Sequence, residues 1–492
     1  MNDAPRLTHL EDVYPGVALP TYDRDAYGIG IVHIGVGAFH RAHQAVYTDD
    51  ALAVSGGDWR IQGVSLRGTD VADALKPQNG LYTLLIRDVA GTRARIIGSL
   101  GGVIAAAWAR DAAIEALIRP QTRIVSLTVT EKAYGIDRLS GQVRPEHPAI
   151  SHDLACPDAP IGVIGIIVRT LQLRRLSGTA PFTVLCCDNL PDNGHLIRAG
   201  VIDFARRIDI DLADWIAQEV AFPSSMVDRI TPASTVETLA DARDITGFTD
   251  LAAVETEPFS QWVIEDHFPT GRPDWAAAGV LLVEDVAPYE RMKLRMLNGA
   301  HSLIAYLGHV AGVKYVRDVM RDESMAHLVE RHLGAAAATL SPLSGIDFSG
   351  YAKALVERFS NPAIAHETYQ IAMDGTEKMP QRIFAPASEC LARGACARSY
   401  AFAVAVWMRY CLGVTDSGVS YALRDPREAE ILICMENWGE DPQKLADALF
   451  SLPDLFPDIL ISALPWRAEV VTILSMVIER GVRSAIEFEI SY

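Results

Sequence analysis

The sequence predicts an α/β N-terminal domain followed by a mainly α-helical C-terminal domain. A strand, a tight glycine turn, a helix and a second strand are indicated in succession over residues 28–67, and strand-like and helical stretches keep alternating to about residue 285. Beyond that point strand-like runs almost disappear and long helical patterns replace them. Alternation of this kind favours a largely parallel sheet that helices cover on both faces. We therefore predict two domains, residues 1–285 and 286–492.

The individual elements follow from the length and periodicity of the apolar runs. Short runs rich in β-branched residues predict strands over 30–34, 61–66, 82–86, 94–97, 124–129 and 182–187. Longer amphipathic stretches predict helices over 42–54, 161–173, 289–307, 325–340, 351–358 and 400–412. The run 124–129 is apolar enough to be buried on both faces of the sheet.

The composition is that of a globular protein with an acidic surface. Of the 492 residues, 49% are hydrophobic and 22% are charged, and the formal net charge is −18. An acidic surface repels phosphate backbones, which argues against nucleic-acid binding. Seven cysteines without a repeated spacing do not describe a disulfide framework. We see neither a secretory signal nor 18 consecutive apolar residues, and therefore expect a cytoplasmic monomer or small homo-oligomer that binds no membrane.

The tight glycine turn is typical of a Rossmann-like, dinucleotide-binding domain. Gly35 permits the sharp turn and Gly37 lets the backbone approach a pyrophosphate, while the N-terminus of the next helix offers amide groups. His40 occupies the place of the third glycine, so the motif is incomplete. We expect the residues that follow the turn, Phe39, His40 and Arg41, to lie near the cofactor phosphates.

An acidic residue after the second strand would bind the ribose hydroxyls of NAD. Asp70 is the candidate, and its carboxylate would repel the 2′-phosphate of NADP. An ordinary loop aspartate explains the spacing equally well, and the nearby Arg67 could accept that phosphate. The expected cofactor is NAD, with NADP left open.

Two histidines three residues apart, His40 and His43, suggest part of a metal site. A zinc site needs three or four ligands, and no third ligand follows at a suitable spacing. We therefore predict no metal site.

The segment 289–301, with the sequence YERMKLRMLNGAH, carries the strongest indication of chemistry. At about 100° per residue, Lys293, Asn298 and His301 fall within an arc of roughly 140° on one helix face. Burial disfavours the charged form of an amine, so a buried lysine can take a proton from an alcohol. The amide can stabilise an oxyanion, and the imidazole can orient a hydroxyl. An amphipathic helix with a lysine that reaches solvent is the alternative.

Polar residues elsewhere offer further candidates. Asn189 follows the strand at 182–187 and would face the cofactor crevice as a second oxyanion donor, although turn chemistry also explains it. Asp228 precedes Arg229 in an apolar setting, which is more typical of a structural ion pair than of a catalyst. Lys378 and Arg382 are either substrate-binding cations or the charges of an exposed loop.

These stretches together resemble the mannitol 2-dehydrogenase family of polyol-specific long-chain dehydrogenases, which includes fructuronate reductase (mannonate oxidoreductase). The resemblance covers nearly the whole chain in order. The matching pieces are IVHIGVGAFHRAHQAVYTDD at 31–50, IVSLTVTEKAYG at 124–135, CDNLPDNGH at 187–195, MVDRITP at 226–232, EPFSQWVIEDHFPTGRPDW at 257–275, KLRMLNGAHS at 293–302, RFSNPAI at 358–364 and IAMDGTEKMPQR at 371–382.

The resemblance implies a nucleotide-binding domain, a helical domain, a site in the cleft between them and a zinc-free mechanism. It implies that Lys293 is the base, that Asn189 and Asn298 form the oxyanion pocket and that His301 binds the substrate. The remaining implied positions concern substrate contact and proton escape, and they are Glu131, Glu290, Asp228 and Lys378.

The chain departs from both branches of the family. Gln370 stands where the mannitol dehydrogenase pattern has an arginine. The amino-acid sequences of segments 293–299 and 371–382 are closer to the fructuronate branch. However, Ala365 and Glu367 stand where that branch tends to carry basic residues. Loss of those carboxylate partners weakens the prediction of an acid substrate.

The predicted function is reversible hydride transfer between NAD and a secondary alcohol, of the type D-mannitol to D-fructose. The substrate would be a small polyol, ketose or keto-acid. The first alternative is reduction of D-fructuronate to D-mannonate. An alternative from another class is a sensor that binds NAD without turnover, which the presence of Lys293, Asn189, Asn298 and His301 together argues against.

Overall fold

A computed structural model describes residues 4–138, 140–343, 346–436 and 438–491. The chain divides into two compact units, Met1–Ala287 and Pro288–Tyr492, each with its own core. We call these unit 1 and unit 2 and describe each by itself.

Unit 1 holds the strands and the shorter helices. Its strands are β1 (Ile29–Ile34), β2 (Arg60–Ser65), β3 (Tyr82–Asp88), β4 (Gly91–Ile97), β5 (Leu100–Ala105), β6 (Ile124–Leu127), β7 (Thr183–Cys186), β8 (Ser225–Asp228), β9 (Val254–Thr256), β10 (Gln261–Glu265) and β11 (Leu281–Val283). Its α-helices are α1 (Ala38–Ala42), α2 (Gln44–Ser55), α3 (Asp70–Leu75), α4 (Arg110–Ile118), α5 (Glu131–Tyr134), α6 (Pro148–Ala155), α7 (Val163–Leu176), α8 (Asn193–Ile208), α9 (Ile210–Glu219) and α10 (Val236–Thr246).

Unit 2 is helical in its described residues. Its α-helices are α11 (Ala287–Lys293), α12 (Gly299–Val310), α13 (Val316–Met320), α14 (Glu323–Ala338), α15 (Phe348–Phe359), α16 (Thr368–Ala372), α17 (Gly375–Met379), α18 (Ala385–Ala392), α19 (Arg398–Tyr410), α20 (Glu428–Met435), α21 (Pro442–Phe450), α22 (Asp458–Ser462) and α23 (Leu464–Ser491). Two segments are π-helical, π1 (Leu294–Asn298) and π2 (Pro380–Phe384).

The main sheet of unit 1 is parallel, in the order β5-β2-β1-β6-β7. Ile34 at the end of β1 lies opposite Val64 of β2 and Leu127 of β6, and Leu127 lies opposite Cys186 of β7. Four strands therefore end together and form one carboxyl edge, where open α/β sheets bind ligands. Two three-stranded sheets, β11-β10-β8 and β4-β3-β9, complete the strands of this unit.

The apolar strands explain how this sheet is buried. Every residue of β6 is buried, as the continuous apolar run predicted. Helices α4, α7 and α8 contribute apolar side chains to one core and α2 and α3 to another, so the sheet is covered on two sides. The predicted fold class, an α/β domain followed by a mainly helical one, is confirmed.

Unit 2 is built around helices that are apolar on nearly every side. Most residues of α12 and α19 are buried, and α23 packs along α19. A helix that is hydrophobic all round needs neighbours on every face, and those neighbours are the other helices of this unit. Among the described residues, no helix is both long enough and apolar enough to cross a bilayer.

The structure corrects one long prediction. A single helix over 289–307 was predicted, but the chain forms α11, then π1, then α12. Apolar periodicity cannot reveal a π-helical turn, because the pattern is the same before and after it while the hydrogen-bond spacing changes.

Candidate active site

The glycine turn of unit 1 leaves an open space in front of helix α1. Gly35 has φ +102°, and a Cβ atom there would lie 2.1 Å from the carbonyl oxygen of Thr128. Gly37 is the N-cap of α1 and forms no side-chain cap, and a Cβ there would meet only the Gly35 oxygen, at 3.9 Å. The first amides of a helix lack partners within the helix, so this turn fits the pyrophosphate of a dinucleotide.

A buried hydrogen-bond network lies beneath this turn and was not predicted. His33 of β1 lies 2.8 Å from the Ser126 hydroxyl through Nδ1 and 2.9 Å from the Thr128 hydroxyl through Nε2. Ser126 donates to Gln44, and Thr128 donates to the Gly35 carbonyl at 2.7 Å. The network joins β1, β6 and α2 to the turn, and burial lowers the pKa of His33 to about 3, so its imidazole is neutral.

The side chains that follow the turn mostly face the interior. His40 is fully buried and stacks on His33 with ring centroids 3.4 Å apart, while Phe39 stacks on His43. Arg41 is buried and donates to the backbone carbonyl of Ala252. The His40 ring and the Arg41 guanidinium are therefore enclosed within unit 1, whereas the sequence predicted them near the cofactor phosphates, and the Phe39 ring is half-buried.

The predicted ribose-binding acid lies past the carboxyl end of β2. Asp70 is exposed and is the first residue of α3, and Arg67 is exposed between the strand and this helix. Both side chains therefore follow a strand that ends beside the glycine turn.

Two loops of unit 1 meet where β6 and β7 end. The carboxylate of Asp188 accepts the amides of Val129 at 2.9 Å and Thr130 at 3.1 Å, and the Tyr134 hydroxyl at 2.6 Å. Exposed Asn189 follows Asp188 directly. Burial raises the pKa of Asp188, while the three donors oppose that rise.

Glu131 begins α5 in the first of these loops. Its side chain is 40% exposed and pairs with Arg138. Glu131 thus lies near the carboxyl end of β6.

Asp228 ends β8 and is buried. The neighbouring Arg229 donates to the carbonyls of Ala42 and Glu257, so its guanidinium has backbone partners. Asn193, at the start of α8, bonds to both the Ser225 amide and the Ser225 carbonyl and thereby fastens β8 to the loop after β7.

Lys293, Asn298 and His301 lie in one continuous helical run of unit 2. They are 7%, 7% and 8% exposed, so the alternative of a lysine that reaches solvent is not supported. Because π1 lies between Lys293 and Asn298, each intervening residue advances by less than the 100° of an α-helix. Asn298 and His301 are therefore rotated back toward the side of Lys293, and the arc is narrower than the sequence predicted. Glu290, half-buried, lies one turn before Lys293 on α11.

Two buried donor groups in this run have no partner among the described residues. They are Nδ2 of Asn298 and Nε2 of His301. Buried polar groups are nearly always hydrogen-bonded, so each is a candidate ligand contact.

Positive charge surrounds His301. Burial holds the pKa of His301 well below its usual range, and His366, Arg358, Arg382 and Lys293 lower it further. The imidazole is therefore neutral, and its ring packs on Phe359 with centroids 4.7 Å apart.

Lys378 and Arg382 belong to this same cationic region. Burial lowers the pKa of Lys378 to about 8, and its amine donates to the carbonyls of Ile371 and Met373. Burial lowers the pKa of Arg382 to about 10, and its guanidinium contacts the Asn298 carbonyl and the Ser302 hydroxyl. The alternative of an exposed charged loop is therefore not supported.

No group of three or more histidine, cysteine, aspartate or glutamate side chains in the described part of the chain is arranged to hold a metal ion.

The two units match the two domain types of one protein family. Residues 29–277 match the mannitol dehydrogenase Rossmann domain, and residues 285–459 match the mannitol dehydrogenase C-terminal domain. The chain belongs to the mannitol dehydrogenase family. The predicted resemblance and the prediction of a dehydrogenase that acts on CH–OH groups are confirmed.

Several relatives cover nearly the whole chain. D-mannonate oxidoreductase of Escherichia coli is 43% identical over 98% of this chain and 99% of its own. Mannitol 2-dehydrogenase of Cereibacter sphaeroides is 43% identical over 83% of this chain and 86% of its own. The Pseudomonas fluorescens mannitol 2-dehydrogenase, solved as a ternary complex with NAD and D-mannitol, is 36% identical with a TM-score of 0.87 and covers 99% of each chain.

The buried histidines of unit 2 predict a loss of stability in mild acid. The folded-state pKa values of His301 and His332 lie below the unfolded value of about 6.5, that of His332 at about 4. Below pH 6.5 the unfolded chain binds protons that the folded unit does not, so stability is present above that pH and falls as pH drops. Each such histidine lowers the free energy of unfolding by about 1.4 kcal/mol per pH unit.

Urea unfolding of the protein at several pH values between 7 and 5 measures how the free energy of unfolding of unit 2 depends on pH. His301→Asn should reduce this dependence by the equivalent of about one proton. Equal slopes for the wild type and the variant would contradict a neutral, buried His301.

Proposed function

We propose that this chain is an NAD-dependent oxidoreductase that interconverts a secondary alcohol of a polyol and a ketose, as D-mannitol and D-fructose, without a metal ion and with Lys293 as general base. The observation that carries the proposal is the helical run of unit 2 that buries Lys293, Asn298 and His301. An amine, an amide donor and a neutral imidazole on one side of a helix can serve an alcohol oxidation as base, oxyanion donor and hydroxyl-binding group.

Lys293 supplies the base in this proposal. Its amine must be unprotonated to accept the hydroxyl proton, and burial disfavours the charged form of an amine. In this proposal Glu290, one turn earlier on α11, passes that proton onward toward solvent. NAD, when bound, supplies the hydride-accepting chemistry.

The asparagines stabilise the developing oxyanion. Nδ2 of Asn298 has no partner among the described residues, so it can donate to the substrate oxygen without breaking an existing bond. Asn189 is the second donor, presented at the carboxyl edge of the parallel sheet of unit 1. Donors that are already oriented cost little reorganisation when charge develops.

The remaining site residues bind and orient the substrate. The neutral His301 offers Nε2 to a hydroxyl, and Lys378 and Arg382 offer cations to electron-rich oxygens. Glu131 and Asp228 provide acceptors from unit 1. Orientation of the carbinol is then the main contribution of the protein.

The glycine turn and Asp70 are the proposed cofactor contacts. The open space before Gly37 accommodates a pyrophosphate, and the exposed Asp70 is available to the ribose hydroxyls. The NAD-bound relative supports this cofactor.

A second candidate is the reduction of D-fructuronate to D-mannonate. The cationic side chains around His301, Arg358 and Arg382 among them, would stabilise a substrate carboxylate. The D-mannonate oxidoreductase relative matches the chain from end to end. Against it, Glu367 adds a negative charge near this region and pairs with Lys314 at 3.1 Å.

A two-substrate assay decides between the candidates. NADH oxidation by the purified protein is followed with D-fructose and with D-fructuronate, and kcat/KM is compared. The proposal predicts the higher value with D-fructose. A higher value with D-fructuronate establishes the second candidate, and absence of turnover with any ketose or keto-acid contradicts both.

Replacement of the base tests the role of Lys293. Lys293→Ala should lower turnover by roughly 10²- to 10⁴-fold, because a positioned general base contributes that much. Binding of NAD, measured by isothermal titration, should be unchanged, since the glycine turn lies in unit 1. A small primary amine in the buffer should restore part of the turnover.

Lys314→Ala is the matched control, because Lys314 is an exposed lysine of the same unit. It should retain wild-type turnover. Full activity in Lys293→Ala would remove the assigned role.

Metal independence is tested by chelation. Extended dialysis against EDTA should leave kcat unchanged, because the proposed base and oxyanion donors are side chains. Loss of activity that zinc restores would contradict this part of the proposal.

A further inference from the structure

Thr130 has a backbone conformation that threonine rarely adopts. Its φ is +73° and its ψ is +150°, a region populated almost only by glycine. A non-glycine residue held there is strained. Other positive-φ residues with both angles defined, such as Asn79 and Asp374, occupy the milder left-handed helical region.

The side chain of Thr130 does not compensate for this strain. It is exposed, and it forms no cap on α5 although it is the N-cap residue. Within the described residues its hydroxyl has no hydrogen-bond partner. Neither burial nor capping therefore explains why a strained threonine stands here.

Asp188 holds the strained backbone in place. Its carboxylate accepts the amides of Val129 and Thr130 on one loop, and the Tyr134 hydroxyl of the helix that follows. The Asp188 carbonyl accepts Nδ2 of Asn193 on the other loop at 3.1 Å. One residue thus fastens the end of β6 to the end of β7.

We propose that Thr130 is a positioning residue, and that its strained backbone, held by Asp188, fixes the loop of Glu131 against the loop of Asn189. The inference rests on the proposed function, which gives Glu131 and Asn189 their roles. The strain sets the direction in which the chain leaves β6, and Glu131 is the next residue. Asn189 directly follows Asp188, which holds the strained backbone through hydrogen bonds, so the positions of the Glu131 and Asn189 side chains are linked.

Three variants separate the effect of the backbone strain from that of the Thr130 side chain. Thr130→Gly relieves the strain, and Thr130→Ala keeps a β-carbon and removes the hydroxyl. Asp188→Asn weakens the hydrogen bonds by which Asp188 joins the two loops, which we call the clamp. Thr130→Gly should raise the melting temperature of unit 1 by roughly 2 °C, since glycine adopts this conformation freely. It should also lower kcat by about tenfold or more with the better of D-fructose and D-fructuronate, because glycine permits other conformations as well and then holds Glu131 and Asn189 less precisely.

The isotope effect on kcat from NADH deuterated at the transferred position should grow in Thr130→Gly, a change that stability alone does not cause. Thr130→Ala should keep most of the wild-type turnover. Asn79→Gly, which relieves positive φ at a turn outside the site, is the control and should leave the kinetics unchanged.

Hydrogen exchange of the peptides 128–134 and 187–193 reports the clamp without any substrate. Both peptides should exchange faster in Thr130→Gly and in Asp188→Asn than in the wild type. Unchanged exchange, unchanged turnover or a lower melting temperature in Thr130→Gly would each overturn the proposal. An equal loss of turnover in Thr130→Ala would assign the effect to the hydroxyl and overturn it as well. A wild type that exchanges as expected but lacks turnover would contradict the proposed function and not the clamp.

Discussion

The π-helical turn between Lys293 and Asn298 is the constraint on which the arrangement of unit 2 depends. In a regular α-helix the side chains of these residues would diverge by more than a third of a turn, whereas π1 brings the amide and the following imidazole nearer to the side of the amine. Arg295 within π1 binds Glu389 with two contacts, at 2.5 and 2.8 Å, and Arg382 within π2 contacts the Asn298 carbonyl. Contacts from the guanidinium groups of Arg295 and Arg382 therefore support the irregular backbone of π1.

This arrangement concentrates positive charge away from water. Isolated buried charges are costly, and the cationic side chains near His301 are partly stabilised by backbone carbonyls, as the Lys378 amine is by those of Ile371 and Met373. Burial and these neighbours keep the imidazole neutral, which avoids one more charge in the same region. A substrate rich in hydroxyl oxygens, or one with a carboxylate, compensates such a region, whereas a cationic substrate would not.

Much of the fold was predictable because it depends on local pattern. β-branched runs at 30–34 and 124–129 marked the centre of the parallel sheet, and the glycine turn followed from backbone sterics that act at Gly35. The candidate site residues were predicted mainly from the resemblance to family motifs. Hydrophobic periodicity alone does not indicate which polar side chains come together in a site. The π turns, the network under His33 and the Asp188 clamp escaped prediction, since each depends on which polar atoms tertiary packing brings within hydrogen-bond distance. The burial of His40 and Arg41 was missed for the same reason.

Both units keep unfavourable local features where the proposed site residues lie, and that coincidence needs a physical explanation. Unpartnered buried nitrogens also occur elsewhere, as at His40 and Trp262, so an unpartnered Asn298 amide alone indicates little. What distinguishes unit 2 is that this amide shares one irregular helical run with a buried lysine. In unit 1 the strained Thr130 separates the buried strand β6 from Glu131, and no folding contact of its own side chain offsets the strain. Folded proteins are stable by only about 5–15 kcal/mol, so strain of about 1–3 kcal/mol at Thr130 is a substantial fraction of that stability, and the direction that it gives to the loop of Glu131 is its proposed use.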